Sequence, residues 1–398
     1  MRAKLPALLP LGAIVGISPF ATDMYIPALP RIAIDLHTTA SVVQLSLTAF
    51  LVSFAVGQLL FGSISDGIGR RPMIIGGTAL FALASLACAL TPSAGILIIA
   101  RVVEGLGGAA ASVAGRALVA DTTSGLQRSR VFATLAAITA VGPVVAPLAG
   151  GALLTIGTWR LMFFALTAFG AALCVVSAIT FPESLPREQR GGSGLGANLG
   201  RMGMLLKIPR FRWYLITGCS AIVGFFAYIS TSSFVFQREY SFTEFQYTLV
   251  FATNASAMIV TTLLFRRLVV KYHDNTLLTI GLVAGVTGSG LVLVLGLTHA
   301  SAYLVWASLM LVTAGWGFVM PGAMTVTQNL GNAAPGTAAA LQGGLQFGFG
   351  GLSTPLAGLL GATAVAMGGV MFVFIVVALA AQLIATAISR SPRAVVPR

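Results

Sequence analysis

Acid is scarce in this chain: ten Asp and Glu stand among 398 residues, against 23 Lys and Arg. Charged residues of both signs make up 8% of the sequence, where soluble domains carry about 25%. That shortage excludes an ordinary water-soluble domain. Lysine is rarer still, with only Lys4, Lys207 and Lys271, and none closes a Gly-x-x-x-x-Gly-Lys-Ser/Thr loop, so the chain holds no self-contained ATP motor. The three cysteines, Cys88, Cys174 and Cys219, are odd in number, unclustered and set in apolar segments. They imply neither a disulfide framework nor a zinc site. His37, His273 and His299 lie far apart in polar connections and form no metal or catalytic constellation. No metal, no cofactor and no enzymatic activity are expected. The net charge of +13 is scattered through short loops rather than gathered in a basic stripe interleaved with aromatics. A nucleic-acid partner is therefore not expected.

What is present is apolar residue, 57% of the chain, with a mean hydropathy of +0.94. Apolar runs of 18 or more recur along the whole length, which predicts an all-α membrane protein crossing a lipid bilayer many times. Twelve spans fit: 7–30, 42–63, 72–91, 93–115, 129–153, 158–181, 212–236, 246–265, 276–297, 302–326, 336–361 and 365–388. The first follows Arg2 and Lys4 and resembles a signal peptide, but it runs too long and lacks a small-residue cleavage site, so it is read as an uncleaved helix. Under this count eighteen basic residues fall on one side and only Arg31, Arg160 and Arg238 on the other. The positive-inside rule then puts both termini in the cytoplasm. Pro182–Arg212 is the longest polar stretch and divides the spans six and six. The expected organisation is a six-helix half over 1–181, a cytoplasmic linker over 182–211 with a short surface helix near Leu199–Leu206, and a second half over 212–398. Pro147-Leu-Ala-Gly150 recurs as Pro355-Leu-Ala-Gly358, 208 residues on, and the same offset relates Asp66 to Asp274 and Gly107 to Gly315. Two pseudo-symmetric halves are the plan of one large transporter fold.

Four charges interrupt the fourth span and its continuation: Arg101, Glu104, Arg116 and Asp121. A charge at membrane depth costs a few kcal/mol or more and usually faces a partner or a cavity. Arg101 and Glu104 are three apart and share a helix face. Arg116 and Asp121 lie roughly 18–30 Å further along, near the cytoplasmic end. Structural ion pairs holding a bundle together would give the same pattern.

Several segments resemble signatures of the major facilitator superfamily. Gly62-Ser-Ile-Ser-Asp66-Gly-Ile-Gly-Arg70-Arg71-Pro72 is similar to its loop between helices two and three. Arg101 with Gly105, Gly107 and Gly108 looks like the fourth-helix signature of its proton-driven exporters, which usually carry Gln where Glu104 stands. Gly142-Pro143-Val-Val-Ala-Pro147-Leu-Ala-Gly150-Gly151 resembles the fifth-helix antiporter signature. Thr22-Asp23-Met24-Tyr25-Ile-Pro27-Ala-Leu-Pro30 resembles the first helix of the Bcr/CflA drug-resistance subgroup, which includes bicyclomycin and phenicol exporters. The loop at Asp274 lacks the Gly and the paired Arg of a full second copy. The resemblance implies a twelve-helix proton-coupled antiporter that exports small amphipathic drugs by alternating access. It implies a bacterial inner-membrane location, and the chain is expected to act as a monomer on small molecules and protons.

Coupling to protons needs a carboxyl that can be emptied and refilled. Asp35, Glu183, Glu188, Glu239 and Glu244 fall in loops or at helix ends, and Asp66, Asp121 and Asp274 fall at the cytoplasmic face. Asp23 and Glu104 remain at membrane depth. Asp23 and Arg101 both lie about 10–14 Å below the outer surface, so an Asp23–Arg101 or Asp23–Glu104 contact is expected if helices one and four are neighbours, as the superfamily's fold implies. Asp23, Glu104 and Arg101 are the proton-coupling candidates; a permanent Asp23–Arg101 ion pair is the alternative. Asp66, Arg70, Arg71, Arg116 and Asp121 are expected to form a charge-linked inner gate, or else a static topology anchor. Gly142, Pro143, Pro147, Gly150 and Gly151 predict a bent, closely packed fifth helix that either seals against proton leak or only packs. Tyr25, Asp23 and Arg101, with Phe226, Tyr228, Asn254 and Gln346, are the substrate-binding candidates, since drug pockets are largely apolar with a few polar anchors. Rival readings are an exporter of a metabolite such as a sugar or nucleoside, and a lipid-handling or receptor-like membrane protein without proton exchange.

Overall fold

The computed structural model describes residues 8–186, 190, 195–331 and 335–390. Among them every regular element is helical. The first predicted span is α1 (Leu8–Val15), α2 (Ile17–Asp23), a 3-10 turn (Ile26–Ala28) and α3 (Leu29–Asp35). There follow α4 (Ala40–Ile68), α5 (Arg70–Ala89), α6 (Ala94–Thr122), α7 (Gly125–Ile156) and α8 (Arg160–Thr180). The linker contributes α9 (Leu195–Leu206). The rest is α10 (Pro209–Phe234) with a π turn (Val235–Glu239), α11 (Glu244–Leu268), α12 (Asp274–Leu297), α13 (Ala302–Leu330), α14 (Pro335–Leu359) and α15 (Ala364–Arg390). Twelve helical stretches thus overlie the twelve predicted spans. Nine helices among the described residues are long and apolar enough to cross a bilayer, and the bent first span is a tenth. Five of those eighteen basic residues, Arg2, Lys4, Arg187, Arg393 and Arg398, lie outside the described residues.

The first span departs from the single helix expected over 7–30. It bends by 50° between Leu8–Val15 and Ile17–Asp35. Proline accounts for the breaks, because each Pro removes the N–H that would bond the carbonyl four residues back. Pro19 leaves the Val15 carbonyl without its helical donor, and Ser112 Oγ on α6 donates to it at 3.2 Å. Pro27 and Pro30 fall at the second positions of the 3-10 turn and of α3, within the first turn, where the N–H has no intrahelical partner to lose.

The chain forms two compact units, Met1–Leu195 with Ser241–Ala252, and Gly196–Tyr240 with Thr253–Arg398. Each repeats the same neighbour relations. In the first, α5 packs on α6 and α8, and α1 and α2 pack on α7; in the second, α12 packs on α13 and α15, and α10 on α14. Glycine sets the closeness. A Cβ at Gly107 would stand 2.6 Å from the Phe81 backbone nitrogen, and one at Gly315, its counterpart 208 residues on, 2.5 Å from the Gly281 carbonyl oxygen. The linker helix α9, longer than the segment expected, buries Leu205 against Phe211, Leu215, Ala338 and Leu341 in the second unit.

Candidate functional site

The membrane-depth charges of the first unit converge on Arg101. Arg101 and Glu104 have no exposed surface, and Arg101 Nη1 donates to Glu104 Oε2 at 2.6 Å. Two other helices and the turn at Tyr25 complete the shell. Phe50 of α4 lies 4.4 Å from the guanidinium carbon, Tyr25 4.7 Å and Phe163 of α8 5.9 Å. Such cation–π contacts strengthen when water is excluded. Arg101 Nε donates to the Ser46 carbonyl at 3.4 Å. The Tyr25 and Ser46 hydroxyls are 3.1 Å apart, and since Ser46 Oγ donates to the Val43 carbonyl, Tyr25 is the donor between them. Ser85 Oγ of α5 lies 2.7 Å from the other carboxylate oxygen, Glu104 Oε1, and Cys88 Sγ lies 3.9 Å from the Oε2 that faces Arg101. Ser85 Oγ is also 2.8 Å from the Phe81 carbonyl. One hydroxyl proton is thus placed to serve either Glu104 or the Phe81 carbonyl.

Asp23 stands apart from this cluster. Among the described residues its carboxyl pairs with no cation; it accepts a hydrogen bond from the neighbouring Thr22 Oγ1 at 2.8 Å. It is nonetheless buried, with 7% exposure. The expected Asp23–Arg101 and Asp23–Glu104 contacts are absent. The first span is broken between Asp23 and Ile26, and the residue it lays over Arg101 is Tyr25 of that turn. Arg101 finds its carboxylate one turn along its own helix instead.

Behind Asp23, α7 runs through Pro143 and Pro147 without ending. A Cβ at Gly150 would overlap the Met24 carbonyl oxygen, one at Gly142 would come within 2.9 Å of Pro19 Cβ, and one at Gly151 would overlap Thr248. The fifth span's glycines therefore let α7 press against the break beside Asp23.

At the other end of the first unit, Arg70 bridges two acids. Its Nη1 lies 2.5 Å from Asp66 Oδ1 and its Nε 2.9 Å from Asp121 Oδ2, while Nη1 also donates to Ser65 Oγ at 2.6 Å. Arg71 turns away and donates to the Ala178 carbonyl at 2.7 Å. Arg116 does not join them. It donates to Gln58 Oε1 at 2.9 Å, because five residues of helix place it about 7.5 Å deeper than Asp121. Two residues absent from the expected cluster belong to it. Glu183 Oε1 accepts the Arg70 backbone N–H at 2.9 Å, at the N-terminus of α5, where the helix dipole favours an anion. Ser184 Oγ donates to Asp121 Oδ2 at 3.0 Å. Gly69 permits this approach: its φ of +112° suits glycine, and a Cβ there would come within 2.5 Å of Glu183 Oε2.

In the second unit the structure brings Tyr228 and Asn254 together, with Asn254 Nδ2 donating to the Tyr228 hydroxyl at 3.2 Å. Phe226 lies against Gly350 on α14, where a Cβ would come within 2.5 Å of its ring. Gln346 lies against Gly218 on α10.

The sequence matches the Major Facilitator Superfamily over residues 11–355. The chain belongs to that superfamily. Among its relatives are the uncharacterized MFS-type transporter YdgK of Bacillus subtilis, 36% identical over 378 residues and 94% of each chain. A bicyclomycin resistance protein homolog of Haemophilus influenzae is 31% identical over 69% of each chain. A chloramphenicol resistance protein of Pseudomonas aeruginosa is 34% identical over 67% of this chain and 63% of that one. The fold is shared with the Escherichia coli xylose transporter XylE at a TM-score of 0.73 and 16% identity, covering 98% of this chain and 99% of that one. This superfamily member is a multi-pass membrane transporter for small molecules, not an enzyme.

Sequence reasoning about this transporter overlooked Ser85, Cys88, Phe50, Phe163, Glu183 and Ser184. Ser85 and Cys88 had a signal: two polarisable groups three residues apart on an apolar helix share a face. Glu183 had none, since its partner is 113 residues away.

Proposed function

We propose that this transporter exports small amphipathic drugs of phenicol or bicyclomycin type from the bacterial cytoplasm, across the inner membrane, in exchange for protons and by alternating access. Both termini are cytoplasmic and the monomer is the working unit. The observation that carries the proton-coupled reading is the contrast between two buried carboxyls. Glu104 is committed to Arg101 and Ser85. Asp23 is buried without a cation and is held by one hydroxyl. A carboxyl without a cation partner can be emptied and refilled without breaking an ion pair. Asp23 is thus the group that loads and unloads, and the Arg101–Glu104 pair stays intact. The relatives named for bicyclomycin and chloramphenicol resistance support a drug as substrate over a metabolite. In this reading the Asp66–Arg70–Asp121 bridge, closed by Glu183, is the inner gate.

The test is substrate-induced proton release from the purified transporter in weakly buffered detergent solution, with chloramphenicol as the substrate. Wild type and Glu104→Gln release protons on binding, and Asp23→Asn binds without release. Undiminished release from Asp23→Asn refutes the assignment.

A further inference from the structure

The second unit holds a buried amide whose acceptor has no partner. Asn254 has no exposed surface; its Nδ2 donates to the Tyr228 hydroxyl, and its Oδ1 meets no hydrogen-bond donor. With Nδ2 given to Tyr228, Oδ1 is the open acceptor of the amide. A buried acceptor left unmade is costly, and the cost is recovered when a donor arrives. Its position is central. Asn254 lies ten residues into α11, about 15 Å from the start, and Trp316 lies at the midpoint of α13, about 21 Å from either end. Transporters of this architecture bind substrate near the bilayer midplane.

The surroundings are aromatic and uncharged. Phe225 stacks on Trp316 with ring centroids 4.3 Å apart and an interplanar angle of 3°, and its centroid is 6.0 Å from that of Tyr228. The Asp, Glu, Lys and Arg residues of α10, α11 and α13 are confined to helix ends: Arg210 and Arg212 on α10, and Glu244, Arg266 and Arg267 on α11, with none on α13. Along these three helices no charged side chain lies at this depth.

We propose that Asn254 Oδ1 is a substrate-recognition atom that accepts a hydroxyl or amide hydrogen from an uncharged substrate. Tyr228 is its positioning residue, and the Phe225–Trp316 stack is the apolar wall beside it. This rests on the drug-export reading and narrows it to neutral, hydrogen-bond-donating compounds. Because Asn254 is wholly enclosed, the donor reaches it only as the surrounding helices part.

The experiment measures equilibrium binding to the full-length transporter in nanodiscs. The probes are thiamphenicol, which is uncharged and bears hydroxyl and amide donors, and tetraphenylphosphonium, a cation with none. For Asn254→Leu the expected result is an affinity for thiamphenicol weakened about tenfold, the upper range for one hydrogen bond, with tetraphenylphosphonium binding unchanged. Equal loss for both probes, or loss for neither, overturns the proposal while leaving drug export standing. Wild-type binding of tetraphenylphosphonium alone also overturns it. Wild-type protein that binds neither probe refutes the drug reading itself, and this inference with it. Should Asn254→Leu fail to fold, Tyr228→Phe removes only the oxygen that orients the amide. It is expected to weaken thiamphenicol about two- to threefold and leave the cation unaffected; no change in thiamphenicol binding again overturns the proposal.

Discussion

Replacing Glu104 by Gln removes one charge from a pair that has no contact with solvent. In the folded protein Arg101 would then hold its positive charge at membrane depth with a neutral amide, the Ser46 carbonyl and three aromatic faces for company. Breaking a buried ion pair from one side costs about 3–5 kcal/mol, because the remaining charge is left uncompensated. The aromatic shell and the amide oxygen of Gln, which still accepts from Nη1, put the cost near the lower end, about 3 kcal/mol. Removing both charges is different. The double variant Arg101→Met, Glu104→Met leaves nothing to neutralise, and buried pairs replaced by packed apolar residues are often neutral in stability. The assay is unfolding in detergent across the four members of the cycle: wild type, Arg101→Met, Glu104→Met and the double, with Glu104→Gln alongside. Glu104→Gln and both single Met variants should be destabilised, and the double should recover most of the loss. Glu104→Gln as stable as wild type would refute the argument. It would mean that this carboxyl is already protonated or readily becomes so, and Glu104 would return as a proton carrier beside Asp23.

Two other outcomes can be checked on the same preparations. Gly150→Ala should cost about 1–3 kcal/mol and lower the yield of folded protein, since its Cβ overlaps the Met24 carbonyl. Gly62→Ala, with nothing within 4 Å of the new atom, should be neutral in the same size-exclusion and unfolding measurements. Arg70→Lys keeps the charge but loses the fork that reaches Asp66, Asp121 and Ser65 together. It should destabilise the first unit by about 1–2 kcal/mol and raise reactivity of a cysteine introduced at Ala120 toward cytoplasmic thiol reagents; unchanged labelling would make the bridge a static anchor.

The architecture was legible because lipid penalises charge so heavily that the twelve crossings stand out by composition alone. Arg101 and Glu104 were legible as partners because three residues of helix put them on one face. Asp23 was legible as a buried acid, but its neighbour was not. The depth argument used a straight helix of 1.5 Å per residue, and Pro19, Pro27 and Pro30 make the first crossing neither straight nor continuous. Arg116 was misplaced for a related reason: the cytoplasmic face was drawn at the end of the apolar run, whereas α6 continues to Thr122 and leaves Arg116 more than a turn inside. Glu183 was hidden because a contact spanning more than a hundred residues leaves no local pattern.

The Val15 carbonyl, relieved of its own ladder by Pro19 and taken up by Ser112, makes the start of the chain a jointed strut rather than a rod. The joint at Gly16 has one ladder bond fewer than a continuous helix, while the Gly16 N–H still reaches the Gly12 carbonyl at 2.9 Å. Asp23 therefore sits on a short piece bounded by a joint at either end, Gly16 and Tyr25, with α7 packed along it.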